Sequence, residues 1–386
     1  MTIKVVSVVG ARPQFIKVAP LVRSFDQFEL RSGLPVDHVI VHTGQHYDAS
    51  MSDVFFDELR IPPATFNLGV GSGSHGSQTG QMLAKIEETL LSSRPDIVVA
   101  YGDTNSALAA TLSAAKLHIP VAHVESGLRS FNRRMPEEIN RVVADHASDL
   151  LLAPTPTALA NLEKEGLGER AILTGDIMYD AVLFNRGLAA ERSRILERLA
   201  LEPGRYGVVT IHRAENTDDE TRLGKVLGAL DAVAATTAEL VFPLHPRTAK
   251  VVRARFPAWS PHPRLRVVPP LGYLDTLSLV GHARMLLTDS GGLQKEAFFL
   301  GCPCITLRDE TEWVETVQGG GNILAGVEPD AIREAVSVWD ARVPAGRADF
   351  SAAVAAAFGD GHAADAIRDA VLAFIAPGER ASHALL

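Results

Sequence analysis

Four side chains capable of acid–base chemistry follow apolar runs or open a helical segment in this sequence. They are Asp103 at the end of "DIVVAYGD", Glu125 at the end of "PVAHVE", Glu137 in "MPEEINR", and His212 at the end of "YGVVTIH". Carboxylates and imidazoles exchange protons near neutral pH, so several of them in one place are typical of general acid–base catalysis. We therefore interpret these four residues as candidates for a catalytic site.

Most of these residues also have a structural interpretation. Asp103 or Thr104 could cap the helix that follows, and capping is the commoner role of an aspartate there. Glu137 stabilises the first turn of a helix and can pair with Arg141 four residues later. Glu125 has no such role, because it ends a strand well before the next helix begins.

The segment "LLTDSGGLQKEAFFLG" predicts a strand, a Ser-Gly-Gly turn and a helix. At Gly291 and Gly292 the backbone can approach an anion closely, and the helix that begins there favours a phosphate through its free amides and dipole. Glu296 follows Ser290 by six residues, where its carboxylate could accept both hydroxyls of a ribose. The alternative is a plain strand–helix turn with a solvated glutamate.

The segment "VVGARPQFIK" places two cations at the start of a helix. Arg12 leaves a glycine turn, and Lys17 lies one turn further along. Cations at a helix N-terminus oppose the helix dipole, and an anion between them would relieve that conflict. The pattern favours diphosphate recognition, and the alternative is a solvated pair of charges.

The segment "GSGSHG", residues Gly71–Gly76, formally matches the G-x-G-x-x-G dinucleotide pattern. It follows only a short apolar stretch, and no acid ends a second strand at the required distance. We interpret it as a Gly/Ser loop before the helix "SQTGQMLAKIEETLL", and not as an NAD site.

Composition limits the class of protein. The chain has 386 residues, 46% hydrophobic content and a net charge of −9, which argues against nucleic acid as a partner. No apolar run approaches the roughly 20 residues needed to span a bilayer, and the N-terminal segment predicts a strand and not a signal peptide. The two cysteines, Cys302 and Cys304, are expected to be core residues. A cytoplasmic protein without a membrane partner is therefore expected.

Strand-like runs alternate with amphipathic helical stretches along most of the chain, which predicts parallel α/β sheets wound on both faces. We expect two such domains, 1–178 and 179–361, with a last helix at about 362–377 returning to the first domain. Ligands of such sheets bind beyond the carboxyl ends of the strands. The polar residues expected at those ends are Arg12, His42, Gln45, Asp103, Glu125, His212, Arg213, His245, Arg247, Ser290 and Arg308.

Seven ordered segments resemble the signature of the non-hydrolysing UDP-N-acetylglucosamine 2-epimerase family. They are "GARPQFIK", "GDTNSALAA", "HVESGLRS", "MPEEINR", "TIHRAEN", "PLHPRT" and "TDSGGLQKEA". The resemblance implies two Rossmann-like doubly wound domains facing a cleft, the B-type glycosyltransferase fold, usually as a homodimer. It also implies interconversion of UDP-GlcNAc and UDP-ManNAc without a cofactor or a metal, by elimination and re-addition of UDP.

The resemblance also assigns roles to residues. It implies that Asp103, Glu125 and Glu137 supply the catalytic carboxylates, and that His212 is an acid–base group or a diphosphate contact. Glu137 is preferred over Glu138 on motif position alone. The residues implied to bind the UDP-sugar are Arg12, Lys17, Arg141, Arg213, His245, Ser290, Gly291, Gly292, Glu296 and Arg308.

Departures from the common family pattern indicate a sub-branch. Many members have Arg-Pro where this chain has Trp313 and Val314 in "TEWVE". Part of the sub-branch epimerises UDP-2,3-diacetamido-2,3-dideoxy-glucuronate, and the additional sugar carboxylate would suit the surplus arginines of the loop after Glu125. These are Arg129, Arg133 and Arg134.

A second departure concerns regulation. Gln45 and His46 lie in the region that resembles the effector site of some bacterial members. The arginine that serves this site just before a Gln-Thr pair is Ser77 here. The substitution weakens the expectation of activation by UDP-GlcNAc.

Three other functions remain open at this stage. One is a hydrolysing epimerase that releases ManNAc, and another is a glycosyltransferase on the same fold, since fold does not determine function. A transferase needs an acceptor groove, and the aromatic content is only 6%. The third is a nucleotide-sugar sensor, which has no need of the carboxylates.

Overall fold

The structure is a computed structural model and describes residues 2–45, 58–343 and 347–376. The chain divides into two compact units. The first unit comprises Met1–Ala181 and the segment that begins at Ala357, and the second comprises Val182–Ala356.

The first unit contains a sheet of seven parallel strands in its described part, in the order β3-β2-β1-β4-β5-β6-β7. The strands are β1 (Ile3–Val9), β2 (Val36–His42), β3 (Phe66–Asn67), β4 (Ile97–Tyr101), β5 (Val121–Val124), β6 (Leu150–Ala153) and β7 (Ala171–Leu173).

The second unit contains six parallel strands among its described residues, in the order β10-β9-β8-β11-β12-β13. The strands are β8 (Tyr206–Thr210), β9 (Glu239–Pro243), β10 (Leu265–Val268), β11 (Met285–Thr288), β12 (Cys304–Thr306) and β13 (Asn322–Leu324).

Helices connect the strands. In the first part of the chain they are α1 (Arg12–Ser32), α2 (His75–Ser93), α3 (Asn105–Lys116), α4 (Pro136–Ala147), α5 (Pro156–Lys164), a 3₁₀-helix (Gly168–Arg170) and α6 (Ile177–Arg192). They continue with α7 (Ile195–Arg198), α8 (Ala214–Thr217), α9 (Glu220–Thr236), α10 (Pro246–Arg255), α11 (Tyr273–Gly281), α12 (Gly291–Phe299), α13 (Val314–Gln318), α14 (Pro329–Arg342), α15 (Ser351–Phe358) and α16 (Ala363–Ile375).

The central strands are almost continuous apolar runs because helices cover both faces of a parallel sheet. All five residues of β4, "IVVAY", are buried, as are all four of β5, "VAHV". Three short strands, β3, β7 and β13, were not predicted from the sequence. They have two or three residues each and lie at sheet edges, where Ile172 and Leu173 remain 43% and 46% exposed. Their local sequence therefore shows no buried run.

The chain order of the strands reverses between β1 and β4 in the first sheet, and between β8 and β11 in the second. Loops that leave the two strands at such a point diverge and open a crevice at the carboxyl edge of the sheet. The pairing of Tyr101 with Val124 sets Gly102 beside Glu125 at this edge of the first sheet. The reversal points therefore determine where the candidate residues lie.

The last helix of the first unit, α16, packs on α1. The hydroxyl of Ser24 donates to Asp365 at 2.6 Å, and Arg368 donates to the same hydroxyl at 3.0 Å. Asp180 accepts the backbone amides of Ala363 and Ala364 at 3.1 and 2.8 Å, which holds the start of α16.

Two other sequence expectations can be compared with the structure. Helix α2 begins at His75, inside the "GSGSHG" segment, so the expectation of a loop through Gly76 is wrong for its last two residues. Cys302 and Cys304 are buried thiols, as expected, and burial raises the pKa of Cys304 to about 12. Over the described residues, no helix combines the length and the apolar character needed to cross a membrane.

Candidate active site

Lys17 and Glu125 form a buried ion pair at the reversal point of the first sheet. Nζ of Lys17, in the second turn of α1, contacts Oε2 of Glu125, directly after β5. Their side chains are 9% and 7% exposed. A Cβ on Gly102 would lie 3.2 Å from Lys17 Nζ and 3.1 Å from Glu125 Oε2, so glycine leaves room for the pair. The lysine predicted to bind diphosphate thus contacts a predicted catalytic carboxylate.

Glu125 has a left-handed backbone conformation, with φ of 70°. This conformation is uncommon for a residue with a Cβ, and the strain costs on the order of 1–3 kcal/mol. Hydrogen bonds of 3.1 and 3.2 Å from the amides of Glu125 and Ser126 to the carbonyl of Leu152 hold the turn. Such strain persists where the surrounding structure over-determines it, which is frequent at functional sites.

Asp103 is held by helix α4 and does not cap the helix that follows it. The cap of α3 is the hydroxyl of Thr104. Nη2 of Arg141 contacts Oδ2 of Asp103, and the side-chain amide of Asn140 donates to the Asp103 carbonyl at 2.9 Å. Arg141 also donates to Glu138 at 2.7 Å. Arg141, predicted to bind substrate, therefore links two carboxylates of its own unit.

Glu137 and Glu138 have different environments. Glu138 is buried and accepts the amide and the hydroxyl of Ser130, both at 3.0 Å, and the amide of Phe131 at 2.9 Å. Burial alone would raise the pKa of Glu138, but the hydrogen bonds from Ser130 and Phe131 and the charge of Arg141 bring it below its ordinary value. Glu137 is only half-buried. Glu138 thus holds the loop, a distinction that favours Glu137 as the reacting group.

Buried side chains form a series of hydrogen bonds and ion pairs below the carboxyl edge of the first sheet. Nδ1 of His123 is 2.6 Å from Oδ1 of Asp145, and Nε2 is 2.7 Å from the carbonyl oxygen of Gly102. Both ring nitrogens of His123 therefore have a buried oxygen as a partner. Asp145 also accepts from Arg129 at 2.7 Å, and Arg129 binds Glu165 through two further bonds of 2.7 Å.

This network corrects one alternative from the sequence. Arg129 was considered a ligand for a second carboxylate on the sugar, but its guanidinium is buried and binds Asp145 and Glu165. Arg133 and Arg134, by contrast, are exposed. Arg129 therefore supports the loop after β5, and only the other two arginines remain for that role.

The predicted effector region is described only in part. Oε1 of Gln45 accepts from the hydroxyl of Ser106 at 2.7 Å, which ties Gln45 to the start of α3. His46 lies outside the described residues. Ser77, at the position of the family's effector arginine, accepts a hydrogen bond from Gln81 at 3.1 Å.

Two further residues predicted to bind UDP lie on helices: Arg12 begins α1, and Glu296 lies within α12. Arg12 is the first residue of α1 and is half-buried, in a first turn without acidic residues. Glu296 lies in the second turn of α12 and is 5% exposed. The cationic helix start and the buried carboxylate are thus in the predicted elements, one in each unit.

In the second unit, Asp289 organises the loop after β8. It is completely buried and accepts the amide of His212 at 3.1 Å, the amide of Arg213 at 3.0 Å, and Nδ2 of Asn216 at 3.2 Å. Nδ1 of His212 is 3.2 Å from its Oδ1. Burial alone would raise the pKa of Asp289, but its interactions with His212 and Arg213 bring it below its ordinary value. Sequence reasoning missed this residue, although it directly follows β11 and meets the same strand-end criterion as Asp103.

The Ser-Gly-Gly turn opens helix α12 as predicted. Ser290 is the N-cap and accepts the amide of Leu293 at 3.4 Å. A Cβ on Gly291 would overlap Oε1 of Glu312, whereas a Cβ on Gly292 would meet no atom within 4 Å. Gly291 therefore serves close packing, and Gly292 keeps the helix start accessible, as anion binding requires.

Glu312 lies next to two arginines that were predicted to bind the UDP-sugar. It accepts from Arg308 at 2.9 Å, and Arg213 lies 3.7 Å away. Beside it, Nζ of Lys295 lies 3.6 Å from the ring centroid of Trp313, the residue that departs from the common family pattern. Neither Glu312 nor Lys295 was predicted. Arg213 and Trp313, which they meet, lie far from them in the sequence or in another element of the fold.

His245 caps helix α10. Its Nδ1 accepts the amide of Arg247 at 3.2 Å, and its ring centroid lies 6.3 Å from that of His212. The second unit therefore brings together His212, Arg213, His245 and the Ser290 turn. Three parallel strands, β9, β8 and β11, position them side by side.

Comparison with known proteins identifies the family. The UDP-N-acetylglucosamine 2-epimerase family profile matches residues 29–372. A UDP-N-acetylglucosamine 2-epimerase homolog of Methanococcus maripaludis is 48% identical over 340 residues, which cover 87% of this chain and 92% of the relative. The UDP-2,3-diacetamido-2,3-dideoxy-D-glucuronate 2-epimerase of Pseudomonas aeruginosa is 46% identical over 334 residues, or 86% and 90% of the two chains.

A solved structure supports the same grouping. Methanocaldococcus jannaschii UDP-GlcNAc 2-epimerase, in complex with UDP-GlcNAc and UDP, aligns with a TM-score of 0.86 at 39% identity. The alignment covers 96% of this chain and 100% of the other. The prediction of two Rossmann-like parallel α/β domains is confirmed. The chain belongs to the UDP-N-acetylglucosamine 2-epimerase family, whose members are isomerases.

Proposed function

We propose that this protein interconverts UDP-GlcNAc and UDP-ManNAc by non-hydrolysing epimerisation at C2. The observation that carries the proposal is the carboxylate edge of the first unit, where Asp103 and Glu125 are each held by a cation. Helix α4, which supplies the cation Arg141, also carries Glu137. A transferase or a sensor of UDP-sugars has no need of three such acids. Membership of the epimerase family supports the same conclusion.

The chemistry explains why these groups are needed. A hydrogen on C2 of a sugar is not acidic, so direct deprotonation is disfavoured, and departure of UDP first makes C2 reactive. The first unit supplies carboxylates that stabilise the cationic sugar and move the C2 proton. Lys17 contacts Glu125 and Arg141 contacts Asp103, so each carboxylate is held in place by a cation.

The second unit must retain UDP while the C1–O bond is broken, because re-addition requires the same molecule. In the proposal the amides at Gly291 and Gly292 bind the diphosphate, together with His212, His245 and the arginines Arg213 and Arg308. Glu296 accepts the ribose hydroxyls. Arg12, at the start of α1, is the cation that the first unit offers to the UDP-sugar.

Proton NMR in deuterated water tests the function. Incubation with UDP-GlcNAc should give a mixture of UDP-GlcNAc and UDP-ManNAc, both with deuterium at C2. Release of free ManNAc with UDP would show hydrolysis, and an unchanged substrate would refute epimerisation of this sugar.

A second substrate is favoured by a specific observation. The P. aeruginosa relative that bears the name of the diacetamido-glucuronate 2-epimerase is 46% identical. The exposed side chains of Arg133 and Arg134 could bind the additional sugar carboxylate. The same NMR experiment with UDP-2,3-diacetamido-2,3-dideoxy-glucuronate distinguishes the substrates. Replacement of both arginines by glutamine should raise KM for the uronate and leave KM for UDP-GlcNAc unchanged.

We also propose a homodimer and a cytoplasmic location. The outer face of α4 carries an apolar groove lined by Val142, Val143, His146 and Ala147, which a second copy would cover. Light scattering after size exclusion tests the dimer, since a monomer mass at micromolar concentration would exclude it. The cytoplasmic location is consistent with two cysteines that are free thiols.

A further inference from the structure

The buried carboxylate of Asp289 faces one ring nitrogen of His212. The distance from Nδ1 of His212 to Oδ1 of Asp289 is 3.2 Å. The carboxylate is held by two backbone amides and by Asn216, so its orientation towards the ring is determined by the fold. The His212 side chain itself is 40% exposed.

This contact determines the tautomer of His212. An ionised carboxylate only accepts, so Nδ1 of His212 carries a hydrogen in both the neutral and the charged ring. Nε2 is then a proton acceptor in the neutral ring and a proton donor in the imidazolium. Nε2 is therefore the ring nitrogen that can exchange a proton with a ligand, while Nδ1 faces Asp289.

His245 has the opposite arrangement. Its Nδ1 accepts the backbone amide of Arg247 at 3.2 Å, so the hydrogen of its neutral ring lies on Nε2. The two rings are neighbours, with centroids 6.3 Å apart. One histidine is thus arranged to exchange a proton at Nε2, and the other to donate a hydrogen bond from Nε2.

On the basis of the proposed function, we propose that Asp289 is a positioning residue that makes His212 the proton carrier for the β-phosphate of UDP. His245 serves as a hydrogen-bond donor to the diphosphate through Nε2. The charged or titratable groups that face His212 are Asp289 after β11, His245 after β9 and the adjacent Arg213.

The proton balance of the reaction follows from this assignment. When the C1–O bond breaks, its electron pair passes to the β-phosphate oxygen, which takes the Nε2 proton of His212. A carboxylate takes the C2 proton, so the sugar leaves as a neutral glycal. On re-addition a second carboxyl group, protonated from solvent, gives its proton to C2 on the opposite face, and the electron pair of the glycal double bond forms the new C2–H bond. The β-phosphate returns its proton to Nε2, and its oxygen forms the new C1–O bond. Proton exchange with solvent then restores both carboxyl groups.

The tautomer can be measured without turnover. The full chain is labelled with ¹⁵N-histidine, and the resonances of His212 are assigned with the His212→Asn variant. We expect a hydrogen on Nδ1 in the unmodified protein and on Nε2 in Asp289→Asn, because the asparagine amide donates to Nδ1. A neutral His212 with its hydrogen on Nε2 in the unmodified protein overturns the proposal.

Kinetics then test the role in catalysis. Asp289→Asn and His212→Asn should each lower kcat by about 10²- to 10⁴-fold, a loss larger than the accompanying change in the Kd for UDP. The double variant should be no slower than His212→Asn, because residues that act as a unit are not additive. A further loss in the double variant would show an independent structural role of Asp289 and refute the proposal.

A matched control separates this role from the support of a loop. Asp231 of the same unit also holds a backbone amide and a side chain, the amide of His262 at 2.8 Å and Nε1 of Trp259 at 2.9 Å. In Asp231→Asn and His245→Ala the pH profile of kcat should be unchanged. In Asp289→Asn the part of that profile that depends on His212 should be absent. The same loss in either control overturns the division of roles. If the unmodified protein is inactive on both UDP-sugars, the proposed function fails, and the NMR experiment still decides the role of Asp289.

Discussion

Replacement of Asp145 by asparagine should strongly destabilise the first unit. The carboxylate is completely buried and accepts from His123 at 2.6 Å, from Arg129 at 2.7 Å and from the amide of Gly127 at 3.0 Å. The neutral asparagine leaves the charge of Arg129 buried with less compensation, and it weakens the hydrogen bond with His123. Removal of one partner of a buried ion pair costs about 3–5 kcal/mol, and we expect a loss of this size.

The assay must report on the first unit alone. All three tryptophans, Trp259, Trp313 and Trp339, belong to the second unit, so their fluorescence does not follow this change. Hydrogen exchange followed by mass spectrometry does, through peptides that cover β5 and α4. The expected loss of protection in these peptides is on the order of 10²- to 10³-fold.

A neighbouring aspartate provides the control. Asp149 is exposed and accepts one backbone amide, that of Val121, at 2.9 Å. Asp149→Asn should cost less than about 1 kcal/mol. In the double variant Asp145→Asn with Arg129→Met, the loss of stability should be smaller than the sum of the two single losses, because the two residues are direct partners. Equal exchange rates in Asp145→Asn and the unmodified protein would refute the role of the charge network.

The pH dependence of this effect has a defined sign. Burial raises the pKa of Asp145, but the hydrogen bond and charge of His123, with the charge of Arg129, bring it below its ordinary value. A lowered pKa contributes stability above the pKa of the unfolded chain, near 4. The difference between Asp145→Asn and the unmodified protein should therefore be constant from pH 5 to 7 and decrease as the pH falls through the folded pKa.

Three further predictions concern other sites. Glu137→Gln should lower kcat by about 10²- to 10³-fold in the NMR assay and leave the thermal stability unchanged. Glu138→Gln should lower the free energy of opening of the 130–131 turn, measured by hydrogen exchange, by about 1–3 kcal/mol. The opposite result for the two variants would mean that their roles are exchanged. Gly291→Ala should lower the free energy of unfolding by about 1–3 kcal/mol when unfolding is followed by tryptophan fluorescence. Gly292→Ala should leave this free energy unchanged and weaken UDP binding in calorimetry. Equal stabilities of the two variants would contradict the packing argument. Burial raises the pKa of Asp180 to about 6. Its contribution to stability is therefore present below about pH 4 and is lost as the pH rises through 6. Asp180→Asn should remove this part of the pH dependence in urea unfolding, and an unaltered pH curve would count against the raised pKa.

The amino-acid sequence by itself determined the alternation of strands and helices and the residues at the strand ends. Buried parallel strands are local apolar runs, so β1, β4 and β5 were visible without the fold. The short edge strands β7 and β13 were not, because most of their pairing energy comes from backbone hydrogen bonds to a neighbour and little from buried side chains. The ordered motifs also identified the family before any coordinates were considered.

Only the tertiary structure decided which side chains are partners. Lys17 and Glu125 are 108 residues apart, and they meet because β1, β4 and β5 are adjacent in the sheet. The same holds for Asp289 and His212, which are 77 residues apart at the ends of neighbouring strands. A local pattern shows that a residue ends a strand, but its partner depends on strand order, which is set by packing of the whole unit. For that reason, Glu137 and Glu138 were almost equivalent in the sequence, and burial and hydrogen bonding separated them in the fold.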